Sequence, residues 1–102
     1  MSHSPPLVDT RLDGAVLVCG DCEKRSDGPT RLEARPVRKE LKRDLAGLPV
    51  RLRVVQSSCL GLCPKKALAL MALAQGHAPL AAEACRNEDV AAFAKALARS
   101  VR

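Results

Sequence analysis

Ala15-Val-Leu-Val-Cys19-Gly-Asp-Cys22 and Val50-Arg-Leu-Arg-Val-Val55-Gln-Ser-Ser-Cys59-Leu-Gly-Leu-Cys63 follow one plan, a strand-like run leading straight into a pair of cysteines. The first run is continuously apolar, the pattern of a strand buried on both faces. The second alternates and is β-branched, which sets Val50, Leu52 and Val54 on one inward face. Between them, Thr30 to Ala46 carries a helix signal. Pro36 suits a first turn, so the regular helix is expected from near Arg35. Val37, Leu41 and Leu45 then recur on one side, with Arg38, Lys39, Lys42 and Arg43 on the rest of the surface. Gly47 and Pro49 are natural stop signals. A strand–helix–strand unit calls for a parallel pair joined by a right-handed crossover. In such a pair the loops after both strands leave at the same end of the sheet, and those loops hold both cysteine pairs.

Downstream, Ala67–Leu73 alternates imperfectly and fits helix or strand. Gln75-Gly76-His77 reads as a turn and Pro79–Ala84 as a returning partner, so a hairpin is the favoured reading. Asn87 is a good N-cap residue, and Glu88 and Asp89 suit the positive end of a helix dipole. Val90, Phe93, Ala94, Leu97 and Val101 continue as an apolar stripe almost to Arg102. Residues 1–13 read as a flexible, polar, proline-containing lead-in, and 14–102 as one α/β domain with a small mixed sheet.

The length of 102 residues suits one domain. With one Phe, no Trp and no Tyr, its core must be built from Leu, Val and Ala, which bring little area per residue. A metal bound only by the folded chain would therefore add stability of some weight. Apolar stretches fall well short of the roughly 18 residues of a membrane span. The first residues lack a basic region followed by an apolar one, so a cytoplasmic setting is expected. Reducing conditions there disfavour structural disulfides, and the 5 cysteines need another explanation. A net charge of +6 and a pI near 9.4 favour anionic partners. The basic run Arg35–Arg43 reads first as a solvated helix face and second as a dock for an acidic redox partner. With one aromatic residue, stacking on single-stranded nucleic acid is not expected.

Cys-x2-Cys places two sulfurs within reach of one metal, and Cys-x3-Cys does so with a wider bite. Gly61 within the second pair allows a tight turn and close approach of amide N–H groups to sulfur. Cys19, Cys22, Cys59 and Cys63 are thus the candidate ligands. The plain rival is that cysteine, one of the most buried residue types, is merely part of the core. Gly, Asp, Ser and Pro flank these four in sequence, which argues against that reading. Cys85 follows Ala81–Ala84 and reads as a structural thiol. Asp21 reads as a turn residue and His77 as an exposed one.

The chain resembles the thioredoxin-like [2Fe–2S] ferredoxins over about residues 15–101. The likeness lies in Val16-Leu-Val-Cys19, in Ser58-Cys59-Leu-Gly-Leu-Cys63-Pro64 and in Asn87-Glu-Asp-Val90. It is also similar to small bacterial proteins described only as metal-binding. The resemblance implies a thioredoxin-like fold, one [2Fe–2S] cluster on Cys19, Cys22, Cys59 and Cys63, and often a homodimer. The chain departs from the family in leaving only Gly20 and Asp21 between its first two ligands. It also has Lys65-Lys66 where the family often carries a glycine. An electron carrier or redox sensor with no catalytic residues is the leading expectation. A structural Zn(Cys)4 module comes second. A dithiol oxidoreductase using Cys19 and Cys22 comes third.

Overall fold

The computed structural model describes residues 10–22, 32–58 and 66–101. Their elements run β1 (Gly14–Cys19), α1 (Ala34–Asp44), β2 (Leu52–Ser57), β3 (Leu68–Ala74), β4 (Leu80–Ala84) and α2 (Asn87–Val101). The sheet is mixed, with order β2-β1-β3-β4. β1 and β2 are parallel, as the intervening helix requires, while β3 is antiparallel to both β1 and β4. The ambiguous run from Ala67 is therefore the first strand of a hairpin. Its turn closes through the His77 amide donating to the Ala74 carbonyl at 3.1 Å. Gly76 supplies the left-handed φ of 79° that this turn needs.

Register assembles the core. Val16 lies beside Val54 and Ala72, Val18 beside Leu70, and Leu68 beside Ala84. All of these side chains are buried. Both helices lie over this face, α1 on β1 and β2, α2 on β4, and they touch each other. α1 contributes Ala34, Val37 and Leu41, and α2 contributes Val90, Phe93, Ala94, Leu97 and Val101. Leucine, valine and alanine do most of the filling, with Phe93 the only ring.

Element ends differ in instructive ways from the sequence reading. β2 runs Leu52–Ser57 and not Val50–Val55. Asp13 causes the shift: its amide donates to the Arg51 carbonyl, and its Oδ2 accepts from the Arg51 amide, both at 2.7 Å. Regular pairing can then start only at Leu52. Val50 and Leu52 are partly buried against the core on the same side as Val54, as the alternation requires. Helix α1 ends at Leu45, with φ −96° and ψ −1°, before reaching Gly47. Pro36 stands third in α1, where its missing N–H has no intrahelical acceptor to lose. Asn87 is the first helical residue and not the cap, because the amides of Asp89 and Val90 both donate to the Arg86 carbonyl.

Candidate metal centre

β1 brings Cys19 to the end of the sheet. In the parallel ladder Cys19 is the register partner of Ser57, the last residue of β2. The ladder runs one residue further, the Gly20 amide donating to the Ser57 carbonyl at 2.8 Å. A Cβ at Gly20 would meet the Gln56 side chain, with Cγ at 3.0 Å and Cδ at 3.1 Å, which this exposed, flexible side chain can relieve by turning away. The two strands thus stop together, and the chain leaves both at one edge of the sheet. Cys19 and Cys22 come from the first exit. Cys59 and Cys63 lie outside the described residues, the former two positions after Ser57 in sequence.

Cys19 is 1% exposed and Cys22 is 3% exposed. Their polar sequence neighbours gave no sign of this: both belong to the hydrophobic core cluster with Val16, Val18 and Leu32. Strand alternation sets Cys19 on the face opposite the helices, in line with Ala15 and Leu17. That face grades from closed to open along the strands. Cys19 and Ala69 are buried at the cysteine end, while Leu73 is 41% exposed at the other. The first thiol therefore sits at the dry end of a sheet face that no described helix covers.

Two buried thiols with two residues between them suit a soft metal, whose positive charge would offset burial of their thiolates. Among the described residues, no group of three His, Cys, Asp or Glu side chains converges to hold a metal ion. The described part of the chain offers a pair of donors, and a full cage needs the second pair.

No protein-family model, curated protein or solved structure matches this chain.

The remaining candidates fall as follows. Cys85 is an exposed free thiol and not the buried structural one that its alanine-rich approach suggested. β4 stops at Ala84, and Cys85 sits in the bend before α2, turned outward. His77 is exposed in its turn, as expected, and Asp21 is half-buried. Along the basic run of α1, Arg35, Lys39, Lys42 and Arg43 are exposed and Arg38 is half-buried.

Two features escaped the sequence reading. Asp89 Oδ2 accepts the Cys85 amide at 2.8 Å and the Arg86 amide at 3.1 Å, closing the start of α2. These bonds, the Cys85 amide first and the Arg86 amide second, hold its carboxyl below the ordinary value of 3.8. The signal was present as an acidic residue three places after the cap, the return arm of a capping box. Lys66 adopts φ of 56°, a left-handed conformation unusual for a residue with a side chain.

Proposed function

We propose that this chain is a thioredoxin-like [2Fe–2S] protein, an electron carrier or redox sensor, with Cys19, Cys22, Cys59 and Cys63 as cluster ligands. The observation that carries the reading is the parallel register of Cys19 with Ser57, extended by the Gly20–Ser57 hydrogen bond. It starts both cysteine-bearing segments from one edge of the sheet. The strand order β2-β1-β3-β4 with a terminal helix supports the thioredoxin-like part. Lys66 adds a local argument, since its left-handed φ falls in the segment where the resembled family often carries a glycine.

A [2Fe–2S] cluster would supply one-electron chemistry, with a potential set by hydrogen bonding and burial around its sulfurs. The chain's own part is to hold Cys19 and Cys22 out of water at the strand end. Burial of Cys19 also bears on the dithiol alternative, because an attacking thiolate needs access to its substrate. At 1% exposure this thiol is badly placed to attack. The partner is a redox protein, and the basic face of α1 suits an acidic one. Homodimer formation fits the partly exposed apolar face around Leu73. Membrane attachment is not part of the reading: among the described residues no helix is long and apolar enough to cross a membrane.

The test is metal and acid-labile sulfide content on anaerobically isolated protein. Two irons and two sulfides per chain, with red-brown colour, are the expected result. One zinc without sulfide would replace the electron-transfer reading with a structural Zn(Cys)4 module. No metal at all, even after anaerobic reconstitution, would remove both.

A further inference from the structure

The outer edge of β2 is a surface that cysteine chemistry leaves unused. β2 stands at the end of the sheet, and β1 is its only strand partner among the described residues. Along β2, between the strand and α1, runs a groove of about 350 Å³, lined by Leu12, Arg38, Lys42 and the strand residues Leu52–Val55. Arg38 and Lys42 stand one turn apart on α1, so their side chains overhang the same stretch of strand. Arg53 adds a third cation from the strand itself, and no carboxylate lines the groove. Leu12, Leu52, Val54 and Val55 supply apolar surface beneath the charges.

An open strand edge is a template for another strand, and proteins usually blunt it. Here the charge pattern is selective. A second copy presenting the same edge would bring three cations against three cations, so self-pairing is opposed. An extended acidic segment meets the opposite situation. Its main chain matches the β2 backbone that no described strand pairs, its carboxylates on the helix side face Arg38 and Lys42, and its apolar side chains on the other side lie along Val55. Phosphate would also be drawn to the cations, but no aromatic ring lines the groove to stack a base.

We infer that the outer edge of β2 is a docking site for an extended acidic segment of a partner protein, which adds to the sheet as a further strand. The inference names how an acidic partner would engage this face, and it does not depend on cysteine ligation.

Binding of a fluorescein-labelled peptide of alternating Glu and Val to the full chain, followed by anisotropy at low salt, tests it. Saturable binding is expected, and the charge reversal Arg38→Glu with Lys42→Glu weakens it at least about tenfold. Two further peptides, each N-methylated on one alternating set of amides, separate strand addition from bare attraction. Only one set faces β2, so one peptide loses binding and the other keeps it. Lack of saturable binding overturns the inference, as does equal binding by both methylated peptides. Tighter binding of an oligothymidylate of matched charge would reassign the groove to nucleic acid. Should the double variant fail to fold by circular dichroism, Lys42→Glu alone, at an exposed position of α1, makes the same charge test. Iron and sulfide content of the same preparation tests the cluster separately, so either idea can fail alone.

Discussion

Asp89 shows how one carboxylate can fix the start of a helix. Its Oδ2 satisfies the amides of Cys85 and Arg86, which precede α2 and have no intrahelical acceptor. The negative charge also sits in the first turn, where the helix dipole favours it. Because both bonds favour the ionised form, the folded-state pKa lies below the ordinary 3.8. A depressed carboxyl contributes stability that is fully present above 3.8 and is lost as pH falls through the folded value. Thermal melts between pH 6 and pH 2.5 should therefore show a fall in Tm at the acid end that is shallower in Asp89→Asn. At neutral pH, Asp89→Ala should lower Tm. Equal acid slopes for the parent and Asp89→Asn would mean that this carboxylate does not hold the helix start. Arg86 and Glu88, paired at 3.4 Å but 59% and 75% exposed, contribute little beside it.

At the scale of elements, the sheet depends on how closely its strands approach, and Gly14 is the tightest point. A Cβ there would overlap the Leu73 carbonyl oxygen and lie 2.7 Å from the Ala74 Cα, both backbone atoms that cannot swing aside. Gly14→Ala should therefore cost about 1–3 kcal/mol by forcing β1 away from β3. Gly47→Ala, with open space around the glycine, serves as the control. Urea titrations of both variants check this, and equal midpoints would refute it. The elements themselves were legible wherever a local period or turn chemistry defines them. The run from Ala15 to Val18, the four-residue spacing of Val37 and Leu41, and Gln75-Gly76-His77 each marked what the structure contains. What the sequence hid depends on distant partners. The start of β2 moved because Asp13, 38 residues away, binds Arg51. Cys85 faces outward because β4 ends at Ala84, and the groove along β2 exists because that strand is an edge. Strand order is a property of the assembled sheet, and no local window carries it. The same holds for the candidate site: spacing proposed the cysteine pairs, but burial of Cys19 at the closed end of the sheet came from the fold.

For the whole molecule, a core of small aliphatic side chains around Phe93 would make a bound metal weigh heavily in stability. A ligand held only by the folded state at about a thousand times its dissociation constant adds on the order of 4 kcal/mol, a large share of what a domain of this size retains. This gives a way to separate a ligand cysteine from a core cysteine at Cys19, which is 1% exposed. Valine keeps the bulk and apolarity of that side chain but has no sulfur. If Cys19 serves only to fill space, Cys19→Val leaves Tm nearly unchanged, and chelators do nothing to either protein. If Cys19 binds metal, the variant loses metal content, its Tm drops by several degrees, and it becomes insensitive to the chelator that lowers the parent's Tm. The second behaviour is expected at Cys19 and equally at Cys22, Cys59 and Cys63. Cys85→Val, at the exposed thiol after β4, should leave both metal content and Tm where they were, because that side chain lies outside the core and outside the proposed ligand set.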